Sequence, residues 1–176
     1  HTSSLLALPL IALLVGCSPK SESGSKSTEE KAVIAAIPKS TGGDFWETVE
    51  MGAQRAADEF DVELKWEGTV TETEIAEQTK IIENMINLGV DAIALAPLNN
   101  QAQRKPVQSA VDNGIPVVIF DSSIDGDAHS SFIATDNTLG GALGAQFIDE
   151  QTPSKGKIIV FRFVQGTAST TKRSEG

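Results

Sequence analysis

Charged and aromatic side chains that could hold a hydroxyl-rich molecule stand where apolar runs of this sequence end. Phe45 and Trp46 follow the first run, and aromatic rings stack on the C–H faces of a ring such as a carbohydrate. Asp121 ends a later run, where a carboxylate can accept charge-assisted hydrogen bonds from two hydroxyls. Arg173 has a planar fork that can span two hydroxyls, and Lys39 is a cation at a strand end. Roles without a ligand are the alternatives. Trp46 could be a core residue, Asp121 a helix cap or turn former, and Arg173 and Lys39 ordinary surface charges.

Other chemistries find little support in the sequence. The loop Ser40–Gly43 could cradle a phosphate, as in flavodoxin-like flavin binders, but no G-x-G-x-x-G and no P-loop lysine accompanies it. His129 is the only histidine besides His1, and its turn-like context predicts an exposed loop residue. One cysteine permits no disulfide framework and no thiolate metal site. We therefore predict no catalytic residue, no metal and no cofactor, and a flavin-binding protein is kept as a distant alternative.

Cys17 indicates export. It follows Gly16 and an apolar run at 5–15, which has the length of a signal-peptide core and is too short to span a bilayer. This pattern resembles a bacterial lipobox, in which the thiol is lipidated and the preceding chain removed; the alternative is an ordinary buried cysteine. No Met, Lys or Arg precedes the run, so we expect the chain to begin within its signal peptide. Residues 1–16 are predicted as that signal peptide.

The segment after Cys17 predicts a tether. Residues 18–30 contain no apolar side chain and are rich in serine, which is typical of a flexible linker. The prediction is a lipidated Cys17 with a tether over 17–30, on the periplasmic or outer cell-surface side of a bacterial membrane. The chain has 14 Lys and Arg against 24 Asp and Glu, a net charge of −10, which argues against nucleic acid as a partner.

Alternating strands and helices predict an α/β fold. Short apolar runs separated by amphipathic segments indicate a doubly wound parallel sheet flanked by helices. The predicted strands are 31–38, 62–66, 91–97 and 115–120, and the predicted helices are 44–60, 73–88 and 102–113. Asp44 is predicted to cap the first helix, with Glu47 completing a capping box. Ligands of such sheets bind at the carboxyl ends of the strands, here the loops 39–44, 98–101 and 121–126.

The pattern continues beyond Asp121. A short strand is predicted at 132–134, a helix at 138–150 with an inward apolar face, and a buried strand at 157–163. A final helix begins after Gly166. Because a buried strand and an unfinished helix would leave an uncovered sheet edge, the sequence predicts an incomplete second unit.

Six stretches in order resemble one family. They are Ile37–Trp46, Gly52–Ala57, Gly89–Pro97, Asn113–Ser122, Ala134–Asn137 with Gly140-Gly141, and Gly166–Thr170 with Arg173 and Gly176. Together they resemble the type I periplasmic binding proteins, the sugar-binding lipoproteins and receptors of bacterial ABC importers, of which ribose- and galactose-binding proteins are examples. The resemblance runs from about residue 31 to the end of the chain.

The resemblance implies two lobes that close on a sugar about a hinge, without catalysis, and an ABC permease as membrane partner. Residues 31–134 would be the N-terminal lobe, and 135–176 the hinge and the start of a truncated second lobe, because the family continues past this length. A monomer is expected. A ligand receptor for a signalling or chemotaxis pathway, binding a sugar, autoinducer or nucleoside, is the alternative.

The resemblance also implies site residues. Phe45 and Trp46 match the aromatics that sandwich the sugar, Asp121 the carboxylate that binds its hydroxyls, and Arg173 the arginine that reaches across the cleft. Lys39 and Ser122 match pocket-lining positions, while Thr135 and Asn137 match the hinge, with a ligand contact open to Thr135. Many relatives have Asn where Gly43 stands and Arg where Ser122 stands, so the ligand need not be ribose.

Overall fold

Five strands and five helices alternate along most of the described chain. The computed structural model describes residues 1, 30–152 and 156–176, so the predicted signal peptide, the predicted lipidation site Cys17 and most of the predicted tether lie outside the described residues. The strands are β1 Val33–Ile37, β2 Glu63–Trp66, β3 Ala92–Leu95, β4 Val117–Phe120 and β5 Ser131–Ile133. The helices are α1 Asp44–Phe60, α2 Ile75–Leu88, α3 Arg104–Asp112, α4 Asn137–Gln151 and α5 Ala168–Glu175.

The strands form one parallel sheet with the order β2-β1-β3-β4-β5. The chain moves outward from β1 to β2 and then crosses back past β1 to β3, which makes the junction of β1 and β3 the switch point. Right-handed crossovers therefore place α1 on one face of the sheet and α2 with α3 on the other. This arrangement confirms the predicted doubly wound fold.

The main core lies between the sheet and the α2–α3 layer. Alternate strand residues face it, because successive side chains of a strand point to opposite faces. The core strand residues are Ala35, Ile37, Ile93, Leu95, Val117 and Ile119, and they meet Ile81, Ile82, Met85, Val107 and Ala110 of the helices. Each fully buried Val, Leu or Ile contributes about 1.5–3 kcal/mol, so this layer fixes the strand ends that carry the site.

The start of α1 differs from the prediction. Gly43, with a φ of 88°, is the N-cap, and no side chain caps the helix, so the predicted capping box at Asp44 is wrong. Asp44 and Glu47 instead lie in the first turn, where their charges favour the positive end of the helix dipole. A residue with a side chain would not adopt the Gly43 backbone readily, which explains why the chain turns here rather than one residue later.

Three sequence predictions after β1 also need correction. The segment 157–163 is not a strand, and Ile159 and Phe161 are exposed, since none of the strands among the described residues pairs with it. The apolar face of α4 is exposed at Leu143 and Phe147, since α4 packs mainly against α5. Phe60, predicted on the buried face of α1, is exposed at the end of that helix.

His129 is half-buried in the loop before β5 rather than exposed as the sequence had predicted, and its Nδ1 atom is buried without a hydrogen-bond partner.

Within the described part of the chain, none of the helices has both the length and the apolar character needed to cross a membrane.

Candidate functional site

A buried ion pair forms at the carboxyl edge of the sheet. Lys39 follows β1 and Asp121 follows β4, and the Lys39 Nζ atom lies 2.6 Å from Asp121 Oδ2. The Lys39 side chain is 3% exposed and the Asp121 side chain 25% exposed. Because an ammonium at this depth is costly without an opposite charge, Asp121 is the group that permits Lys39 to be there.

Two serine hydroxyls complete the surroundings of the ammonium. Lys39 Nζ donates to Ser122 Oγ at 2.6 Å and to Ser169 Oγ at 3.2 Å. The Ser169 backbone N–H donates to Ser122 Oγ at 3.2 Å. With Asp121, these contacts engage the three donors of the ammonium and join the first turn of α5 to the sheet.

The backbone of Asp121 is unusual. Its φ is 63°, in the left-handed region that non-glycine residues seldom occupy, although Asp tolerates it better than most. Its N–H donates to the Ile133 carbonyl at 3.0 Å, which extends the β4–β5 pairing by one residue. A backbone of this kind persists where surrounding contacts fix it, and such residues cluster at functional sites.

The two aromatic residues of the first helical turn have different environments. Phe45 is 60% exposed, whereas Trp46 is 4% exposed. Their rings meet edge to face, with centroids 5.0 Å apart and an interplanar angle of 86°. Trp46 also meets Phe120 of β4 at 6.3 Å, and its Nε1 atom donates to Glu72 Oε1 at 2.8 Å. The Phe45 ring is therefore the accessible one of the two, and the buried Trp46 ring packs against it.

Arg173 reaches the same region from α5. Its Nη2 atom donates to Asn137 Oδ1, and Asn137 Nδ2 donates to the Thr135 carbonyl at 3.0 Å. Gly141 of α4 faces the Arg173 backbone so closely that a Cβ there would collide with the Arg173 carbonyl oxygen. The absence of a side chain at Gly141 thus allows α5 to approach α4.

These residues surround a cleft of about 450 Å³, a size common for small-molecule sites. The predicted site residues that line it are Lys39, Phe45, Trp46, Asp121, Thr135, Asn137 and Arg173. Ser122 is 1% exposed and lies behind Lys39, outside the lining. The loop Leu98–Gln101 is also outside the lining; there, Asn99 Oδ1 accepts from the N–H groups of Gln101 and Ala102 before α3.

Sequence reasoning missed Glu72 and Ser169, which both line the cleft. A signal for Glu72 was available, because the loop after β2 also leaves a carboxyl end of the sheet. Ser169 lies within the Gly166–Thr170 stretch that carried the resemblance, but its hydroxyl could be placed beside Lys39 only by the packing of α5.

Comparison with known proteins gives consistent matches. The model of the periplasmic binding protein domain matches residues 34–176. The D-ribose/D-allose-binding protein of Pseudomonas aeruginosa is 31% identical over 159 residues, which cover 85% of this chain and 49% of that protein. The ribose import binding protein RbsB of Bacillus subtilis is 28% identical, over 99% of this chain and 57% of that protein.

Crystal structures agree with this relationship. An ABC transporter solute binding protein from Agrobacterium vitis with bound D-fucose has a TM-score of 0.77 and 36% identity, covering 81% of this chain and 50% of that one. A sugar transporter from Clostridium phytofermentans has a TM-score of 0.80 and 28% identity, covering 82% and 54%. The chain spans about half the length of the curated relatives it matches. On the family match and this fold, the chain belongs to the periplasmic binding protein domain family.

Proposed function

We propose that this chain forms part of the solute-binding lipoprotein of an ABC importer, and that its cleft binds a small neutral carbohydrate. The observation that carries the proposal is the convergence of an exposed aromatic ring, a carboxylate and a guanidinium on the same cleft, at Phe45, Asp121 and Arg173. The relatives named for ribose and allose, and the similar structure with bound D-fucose, support this ligand class.

Each of the three groups has a separate task in the proposed complex. Phe45 stacks on the apolar face of the sugar, since its ring is exposed and held edge to face by Trp46. Asp121 accepts hydrogen bonds from ligand hydroxyls while one of its oxygens stays paired with Lys39. Arg173 donates from α5, opposite the strand ends.

The proposed mechanism is reversible binding with closure, without a chemical step. Phe45 of α1 and Asp121 after β4 precede Thr135 and Asn137 in the chain, whereas Arg173 of α5 follows them. A ligand that contacts both sides favours the arrangement in which they are close, and a hinge at 134–137 absorbs the movement. A membrane permease would then recognise the closed form and receive the sugar.

The proposal also includes the cellular location of the protein. The lipobox-like stretch ending at Cys17 supports attachment by a lipid on the periplasmic or outer cell-surface side of the membrane. The name of the Bacillus subtilis relative, an import binding protein, supports a role in uptake. Mass spectrometry of the membrane fraction would detect a diacylglycerol adduct on Cys17, and a Cys17→Ala variant would lose it.

A thermal-shift panel tests the proposed function. The natural protein that carries residues 17–176 is heated with D-ribose, D-allose, D-fucose, D-arabinose and xylitol, each at millimolar concentration. A sugar at about 100 times its dissociation constant adds about 2.7 kcal/mol to the free energy of unfolding, an easily measured rise in Tm. Leucine serves as a control that should give no shift. A folded protein that responds to none of the sugars would contradict the proposal and favour a nucleoside or autoinducer ligand.

A further inference from the structure

We infer that Glu72 is a positioning residue of the cleft, which holds the exposed Phe45 ring in place through Trp46. The role of that ring in stacking on a sugar rests on the proposed function. Glu72 lies in the loop between β2 and α2, and it belongs to none of the stretches through which the sequence resembles the family. Glu72 would therefore affect ligand binding from outside those stretches.

The contacts run in one line from the loop to the cleft. Glu72 Oε1 accepts from Trp46 Nε1 at 2.8 Å. Trp46 is 4% exposed and meets the 60% exposed Phe45 ring edge to face, with a centroid separation of 5.0 Å. Because the edge-to-face geometry depends on the angle of both rings, an indole that turns would change the surface Phe45 presents to a ligand.

The loop that carries Glu72 is held at several points. Thr69 Oγ1 donates to the Lys39 carbonyl at 2.6 Å, and Ser40 Oγ donates to the Val70 carbonyl at 3.1 Å. A further bond spans Glu72, because the Thr71 N–H donates to Glu74 Oε2 at 2.8 Å. These bonds hold the loop that carries Glu72 against the β1–α1 loop, which is the segment that leads into Phe45.

The hydrogen bond matters because Trp46 is almost fully buried. A buried indole N–H needs an acceptor, and a bond to a carboxylate is stronger than one to a neutral group. Without Glu72 the indole either loses its partner or turns to find another one. In both cases Phe45 loses the support on which its orientation depends.

The first measurement needs no ligand. The chain has two tryptophans, so a Trp66→Phe background leaves Trp46 as the only indole fluorophore. In that background Glu72→Ala should shift Trp46 emission to the red and increase its quenching by acrylamide, while Glu72→Gln, which keeps an acceptor oxygen, should restore most of the original signal. Glu83→Ala, an exposed carboxylate of α2, is the matched control and should change nothing.

The second measurement is sugar affinity by calorimetry, with D-ribose, D-allose and D-fucose as probes. Glu72→Ala should weaken binding about tenfold, since a hydrogen bond to a charged group contributes about 1.5–3 kcal/mol and 1.4 kcal/mol is a factor of ten. Trp46→Phe should weaken it by a similar factor, and the double variant should be no weaker than the worse single one, because both changes remove the same bond.

The outcomes separate this inference from the proposed function. Unchanged quenching and unchanged affinity in Glu72→Ala would overturn the positioning role. Equally weak binding by Glu72→Gln and Glu72→Ala would overturn it as well, because that result would assign Glu72 a direct charge contact with the ligand. If the unsubstituted protein binds none of the three sugars, the proposed function fails, and the quenching result alone then supports or overturns the positioning of Trp46.

Discussion

The Lys39 ammonium nitrogen lies 2.6 Å from Asp121 Oδ2, although the strands that precede these two residues are separated by β3 in the sheet. The pair therefore spans the centre of the carboxyl edge. It neutralises a buried cation and leaves the second carboxylate oxygen of Asp121 for other partners. Lys39 is thus both a cleft-lining residue and the support of the carboxylate proposed to bind the ligand.

Removing Asp121 alone should destabilise the protein more than removing both members of this pair. Asp121→Asn leaves the nearly inaccessible Lys39 ammonium without an opposite charge, and breaking a buried pair in this way costs about 3–5 kcal/mol. Lys39→Met should cost less, because the partly exposed Asp121 carboxylate can still be hydrated. Urea unfolding of the two single variants and the double variant gives these values. Strictly additive losses would show that the two side chains do not interact.

The two tryptophans should differ in their sensitivity to replacement by Phe. Trp46 Nε1 donates to Glu72, whereas Trp66 Nε1 is buried without a hydrogen-bond partner. An unsatisfied buried N–H costs about 1–3 kcal/mol, so Trp66→Phe relieves a penalty that partly offsets its lost packing. We expect Trp46→Phe to lower the free energy of unfolding more than Trp66→Phe, as measured by urea denaturation. The reverse order would mean that Trp66 has a partner in solution.

Neighbouring glycines before α1 should respond differently to alanine. Gly43 has a φ of 88°, a region that side-chain-bearing residues rarely adopt, while the φ of Gly42 is outside this region. A Cβ at either position would meet nothing within 4 Å, so any difference comes from the backbone alone. Gly43→Ala should lower stability by about 1–3 kcal/mol and Gly42→Ala by much less. Equal thermal midpoints would contradict the observed start of α1.

Phe45→Ala should weaken ligand binding with little effect on stability. Phe45 is 60% exposed, so truncation removes little buried surface, but it removes the ring proposed to stack on the sugar. Phe60, 72% exposed at the other end of α1, provides the matched control. Calorimetry should show at least a tenfold loss of affinity for Phe45→Ala and none for Phe60→Ala. Equal affinities of the Phe45→Ala and Phe60→Ala proteins would contradict the assignment of Phe45 to the ligand site.

Local patterns were sufficient to predict most of the elements up to β5. Apolar runs such as Val33–Ile37 and glycine stops such as Gly89 reflect burial and backbone preference, which act over a few residues. The segment 157–163 shows the limit of this reasoning, because its apolar residues favour a strand only if another strand lies beside them.

The site was less predictable than the fold for a related reason. The rule that ligands bind at strand carboxyl ends, together with the resemblance, predicted that Lys39, Asp121 and Arg173 belong to one site, and all three line the same cleft. It could not show that Lys39 and Asp121 pair, that Ser122 lies behind them, or that Trp46 is buried and bonded to Glu72. Those contacts join residues far apart in sequence, and only the packed structure defines them.

The most direct test of the central claim is a calorimetric titration of the natural protein carrying residues 17–176 with the sugar that gives the largest thermal shift. The unsubstituted protein and Asp125→Asn, an exposed loop carboxylate, should bind alike. Asp121→Asn, with its fold checked by circular dichroism, should bind about a hundredfold more weakly, because it loses charge-assisted bonds to ligand hydroxyls. Asp121→Asn and Asp125→Asn proteins with equal affinity would contradict the claim that this cleft, through Asp121, is the sugar site.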